Sequence, residues 1–98
     1  MMKLPKEVLK DISVHAKTMR LELGYTQETL AKNSGVSFGS IKRFENTGKI
    51  SLESLLKIAL ILGVLQNFEV LFKNKQSQEI NSLDSMLKAV KKRKRGIK

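Results

Sequence analysis

Residues 26–48, TQETLAKNSGVSFGSIKRFENTG, hold two short apolar patterns separated by a glycine turn, and the rest of the chain is arranged around them. Thr26 is a good N-cap, with Glu28 and Thr29 in the first turn and Leu30 and Ala31 apolar before Asn33, Ser34 and Gly35 break the pattern. Ser37 then caps a second helix running to about Thr47, with Ile41 and Phe44 three residues apart on one side and Gly48 as its stop. A close crossing of two such helices needs a small residue on the first, a turn residue able to take positive φ, and apolar residues on the inner side of the second. Ala31, Gly35, and Ile41 with Phe44 supply these, and Val36 is tucked into the turn.

Upstream, Pro5 is placed to open a helix over about residues 6–23, in which Val8, Ile12, Ala16, Met19 and Leu23 recur at helical spacing until Gly24. Downstream, Ser51 with Glu53 and Ser54 starts a fourth helix. Leu52, Leu55, Leu56, Ile58, Ala59, Leu60 and Leu62 make it apolar enough to be expected at the centre of the core. Residues 65–72, LQNFEVLF, predict a fifth helix with Leu65, Phe68, Leu71 and Phe72 on one side. Residues 1–72 are therefore expected to form one all-α, five-helix domain, and residues 73–98 a polar linker and basic tail. In that tail Leu83, Met86, Leu87 and Val90 keep i, i+3, i+4, i+7 spacing.

The 98 residues allow one modest core, 41% of them are apolar and one is proline, which favours a helical globule. The formal charge of +10 is uneven: residues 1–72 carry ten Lys/Arg against seven Asp/Glu, whereas residues 73–98 carry nine against two. With no cysteine there is neither a disulfide framework nor a thiolate metal site, which fits a reducing compartment such as the cytoplasm. The longest apolar stretch, residues 58–65, contains Gly63 and is far too short to span a bilayer, so a soluble protein is expected. An enzyme is disfavoured by one histidine, no glycine-rich phosphate loop and scattered carboxylates; His15 on the first helix reads as a packing or surface residue. No cofactor or metal is expected.

The run RLELGYTQETLAKNSGVSFGSIKRFENTG followed by ISLESLLKIALILG resembles the Cro/CI (XRE-type) helix-turn-helix family over about residues 10–72. That resemblance implies a lambda-repressor-like domain whose third helix enters the major groove of double-stranded DNA. Carried over by position, it implies base reading by Ser37, Phe38, Gly39, Lys42 and Arg43. Arg43 and Lys42 suit guanine O6 and N7 or a phosphate, and Ser37 serves as an N-cap or a base contact. Phe38 and Gly39 depart from the polar residues common there. Phe38 either packs on a thymine methyl or folds back onto the core, and Gly39 allows close approach.

The same resemblance implies backbone contacts from Gln27, Asn46, Thr47 and Lys49, and a buried structural ion pair between Arg20 and Glu45. Such domains pair across two half-sites, and Phe68, Leu71 and Phe72 are the candidate homodimer seam, unless they cap the core of a monomer. The tail SLDSMLKAVKKRKRG is similar to the ends of HipB-like antitoxins, which implies a HipA-like kinase toxin as partner. Lys91, Lys92, Arg93, Lys94 and Arg95 would then lie along DNA or an acidic protein face, or remain solvated. The expected protein is a cytoplasmic, nucleoid-associated repressor of bacterial or phage type. A phage-type repressor without a toxin, or a protein-interaction module, is the alternative.

Overall fold

The computed structural model describes residues 3–73. Among them are five helices and no strand: α1 (Pro5–Glu22), α2 (Gln27–Ser34), α3 (Phe38–Thr47), α4 (Leu52–Leu62) and α5 (Gln66–Glu69). Three starts rest on the same chemistry, in which a hydroxyl accepts an otherwise orphaned amide: Thr26 from Thr29 at 3.0 Å, Ser37 from Ser40 at 3.1 Å and Ser51 from Ser54 at 3.1 Å. At α1, Pro5 takes the first turn and the Glu7 carboxylate accepts from the Leu4 amide at 2.9 Å. Lys3 pairs with Asp11 along the first turns of this helix, and their hydrogen bond holds the Asp11 carboxyl below its ordinary range.

Helix α3 packs against α1 and α2, while α4 closes the core from below by packing against α2 and α1. Leu30, Val36, Ile41, Phe44, Ile58 and Leu62 form the buried cluster, flanked by Ile12, Ala16, Met19, Ala31 and Leu55. Ile41 and Phe44 sit at its middle, each worth roughly 1.5–3 kcal/mol of burial. These two side chains set which side of α3 faces inward.

Three expectations need correction. On α1 only Ile12, Ala16 and Met19 reach the core, whereas Val8 and Leu23 are exposed. The inward face of the helix runs through Ser13, Ala16 and Arg20, and Val8 and Leu23 lie off it. Its most buried residues are instead Ser13 and Arg20, and the Ser13 hydroxyl is satisfied by donating to the Lys10 carbonyl at 2.9 Å. Helix α4 buries Ile58, Ala59 and Leu62 but leaves Leu52 and Leu60 in solvent, so it is a wall of the core with one open side.

The fifth helix is four residues long, not eight, with no side-chain cap and no buried residue. One turn cannot recover the cost of nucleation without tertiary support, and the chain turns away at Phe72, whose φ is +66°. Phe68 is half-buried, whereas Leu71 and Phe72 stand in solvent and share no helical face with it. The amphipathic pattern at Leu83, Met86, Leu87 and Val90 and the cluster at residues 91–95 lie outside the described residues.

Candidate nucleic-acid interface

The placement of α3 is decided at its two ends. Before it, Gly35 takes φ +81° and its amide donates to the Ala31 carbonyl at 2.9 Å, while Ser34 accepts from the Val36 amide at 3.2 Å. After it, Gly48 takes φ +84° with its amide on the Phe44 carbonyl at 2.7 Å. Gly48 also lies against α1: a Cβ there would stand 2.8 Å from the Leu9 carbonyl oxygen and 2.9 Å from its carbon. Both the backbone angle and the missing side chain are therefore required, because a backbone wall cannot yield as a flexible side chain can.

A buried polar network ties the same helix to the first half of the chain. Arg20 Nε donates to Glu45 Oε2 at 2.7 Å and its Nη2 to Oε1 at 3.0 Å, a bidentate pair, while Nη1 donates to the Tyr25 carbonyl at 2.7 Å. Gln27 Nε2 adds a further bond to Glu45 Oε1 at 2.8 Å. With both charged side chains nearly inaccessible, the guanidinium and carboxylate satisfy one another and fix three segments together: the end of α1, the start of α2 and the last turn of α3.

What α3 turns outward is the set Ser37, Phe38, Gly39, Lys42 and Arg43, every one exposed. Phe38 does not fold back onto the core; it is 41% exposed, and the Lys42 ammonium lies 5.1 Å from its ring centroid. A Cβ at Gly39 would meet nothing within 4 Å, so this position is open toward solvent. The Ser37 hydroxyl accepts from the Ser40 amide and donates to the Ser40 hydroxyl at 2.8 Å, and both bonds stay within the first turn.

The four residues assigned to the DNA backbone divide. Asn46 and Lys49 are exposed beside the C-terminal end of α3. The Thr47 hydroxyl is engaged locally, donating to the Arg43 carbonyl at 2.7 Å and accepting from the Lys49 amide at 3.0 Å. Gln27 is half-buried with its amide nitrogen on Glu45, so its side chain holds the network that holds α3. The structure also adds Lys10, whose ammonium donates to the Asn46 carbonyl at 3.4 Å and places an α1 cation at the exit of α3. Thirty-six residues separate the two, and no local pattern in the sequence links them.

The residues assigned to a dimer seam lie on another part of the domain. Phe68 lines an open apolar groove of about 180 Å³ with Ile12, Ala16, Met19, Leu55 and Leu62, while Leu71 and Phe72 are exposed beyond it. His15 and Asn67 border the same groove. Among the described residues no group of three or more His, Cys, Asp or Glu is placed to hold a metal ion. No helix there is long and apolar enough to cross a membrane.

No curated protein matches the chain. Residues 17–64, just under half of it, match the helix-turn-helix family model. The match takes in Arg20, Gln27 and Glu45 of the network and the whole outward face of α3, and it ends before α5. With α2 and α3 crossing at the Gly35 turn over a shared core, the match over residues 17–64 supports a helix-turn-helix domain of the XRE (Cro/CI) type, as found in DNA-binding transcription regulators.

Proposed function

We propose that α3 reads base edges in the major groove of an operator and that the protein is a homodimeric transcriptional repressor in the cytoplasm. One observation carries this reading. A helix of ten residues is anchored by a buried ion pair, two apolar side chains and a glycine contact on its inner side, while its outer side offers only exposed residues. Rigid anchoring fixes where the outward side chains point, which is what base discrimination needs. Arg43 and Lys42 supply donors for guanine, and Phe38 and Gly39 supply apolar contact and close approach. Lys10, Asn46 and Lys49 hold the phosphates beside the end of the helix.

In this reading residues 1–72 are the DNA-binding unit, and Phe68, Leu71 and Phe72 meet their counterparts in a second copy, so that two half-sites are covered one helical turn apart. Residues 73–98 supply a polar linker and basic tail, whose cluster at Lys91–Arg95 adds contacts to phosphate or to an acidic partner. The likeness of that tail to HipB-like antitoxins extends the proposal to an autoregulating antitoxin neutralising a HipA-like kinase. Co-purification with the product of a neighbouring kinase-like gene is the observation that supports this extension, and a neighbouring phage lysogeny module is the one that removes it.

Selection of duplexes from a randomised pool by the full chain at moderate ionic strength tests the main proposal. Enrichment of one sequence, lost in Arg43→Ala with the fold intact, is the expected result; recovery of unenriched DNA overturns it. Removing residues 91–98 measures the tail separately, because each cation that reaches a phosphate contributes about 0.9 to the salt slope.

A further inference from the structure

We propose that Phe38 and Lys42 act together as one reader of a two-base-pair step in which a 5-methylpyrimidine lies beside a guanine. The inference rests on α3 being the DNA-reading helix and names what part of that helix reads. Phe38 and Lys42 are one helical turn apart, both are exposed, and the ammonium sits over one face of the ring, 5.1 Å from its centroid. The attraction is to the ring's electron-rich face and leaves at least two of the three N–H donors free, so the ammonium is held beside the ring with hydrogen bonds still to make. Left free on an exposed face, a lysine would reach phosphate as readily as a base. Held on the ring, it is confined to the neighbourhood of whatever the ring touches.

What the ring touches follows from chemistry. Its other face and edge are apolar, and in the major groove the apolar group that distinguishes one base from another is the pyrimidine C5 methyl. The guanine O6 and N7 acceptors are the natural partners of a lysine ammonium. Successive bases are about 3.4 Å apart along a strand, so two side-chain groups 5.1 Å apart along the groove can reach adjacent base pairs, which is the arrangement proposed. The neighbours do not interfere: Gly39 has no side chain to stand between ring and groove, and the Ser37 and Ser40 hydroxyls bond to each other. Thymine and 5-methylcytosine both carry the methyl, so the pair recognises either.

The test uses the full chain and a duplex recovered by selection, altered one atom group at a time. Deoxyuridine in place of each thymine removes only the methyl. At one position the affinity should fall about fourfold, the worth of one buried carbon. Phe38→Ala should bind the thymine and deoxyuridine duplexes equally. At the neighbouring base pair 7-deazaguanine should cost about tenfold, the loss of one charge-assisted hydrogen bond, and Lys42→Met should be blind to it. Because the ring holds the ammonium, Phe38→Ala should also lose most of the 7-deazaguanine effect. Where cytosine replaces the thymine, methylating it should restore binding.

Both side chains lie outside the core cluster, so circular dichroism melts of the variants should match the parent. A selected duplex whose affinity is unchanged by deoxyuridine throughout overturns the pair while leaving α3 as the reader. So do methyl-sensitive and N7-sensitive positions that are not adjacent. A pool that yields no preferred duplex removes both.

Discussion

Helices α3 and α5 each carry two of the chain's phenylalanines in or beside them, and the two segments are held in opposite ways. Phe44 is buried within α3, a helix capped by Ser37, stopped by Gly48 and bolted through Glu45 to Arg20. Phe68 is half-buried on a single uncapped turn, and Phe72 just after it is fully exposed. Isolated helices below about 12–15 residues are marginal in water, so neither segment persists on propensity alone. The ten residues of α3 stay rigid because tertiary contacts replace the missing length, and they replace it on one side only. The side left over can then present side chains in a defined geometry, which an unsupported turn cannot do.

The sharpest way to break this contrast is to remove the bolt. Arg20→Met should cost about 3–5 kcal/mol in urea unfolding, because Glu45 is left charged and buried and the Tyr25 carbonyl loses its donor. Combining it with Glu45→Leu should recover much of the loss, whereas Lys17→Met on the exposed side of α1 should cost almost nothing. Equal tolerance of Arg20→Met and Lys17→Met would mean that α3 is held by its apolar side alone.

Gly48→Ala comes next, at about 2 kcal/mol by thermal or urea unfolding, since the new methyl meets the Leu9 backbone at a positive φ. Ser37→Ala removes one cap from α3 and should cost about 1 kcal/mol, with the hydrogen exchange of the Ser40 amide accelerated. Phe72→Ser should stay within about 0.5 kcal/mol of the parent, as it stands fully exposed among the described residues. Sedimentation of that variant measures whether the exposed apolar end joins two copies; unchanged association would detach Phe72 from the proposed seam.

The smallest effect concerns the exposed first turns of α1. The hydrogen bond from Lys3 lowers the Asp11 pKa in the folded state, so the carboxylate form favours folding. That contribution is complete well above the ordinary value of 3.8 and is lost as pH falls through the lowered folded value. Lys3→Ala should return Asp11 toward the ordinary value in an NMR titration, and an unmoved titration would show that the two residues do not pair.

Much of this arrangement is legible in the chain because it is local. The hydroxyls of Thr26, Ser37 and Ser51 lie three residues before the amides they accept from, and Gly35, Gly48 and Gly63 stand where those helices stop. The inner side of α3 follows from Ile41 and Phe44 alone. Less legible was the first helix, where a hydrophobic stripe pointed to Val8 and Leu23 but burial selected Ser13 and Arg20. A stripe counts apolar residues only, and here a satisfied hydroxyl and a paired guanidinium occupy the inward face. The eight-residue α5 failed for another reason, since its apolar spacing has no core to meet after Phe68.

Among the site residues, Phe38 was open to two placements that differ only in a side-chain direction, and its exposure with Lys42 over the ring chose between them. Gln27 and Lys10 had no reading in the chain that would have tied them to Glu45 and Asn46, partners 18 and 36 residues away.

Helix starts, stops and the inward side of α3 were thus determined by the amino-acid order itself, since a cap, a positive φ and a helical stripe each involve residues within about one turn. The depth of the Arg20–Glu45 pair, the need for glycine against Leu9 and the ammonium set over Phe38 were decided only once the helices had packed. Burial, contact and pairing depend on distances between side chains that the chain leaves free until α1, α2 and α3 close on one another.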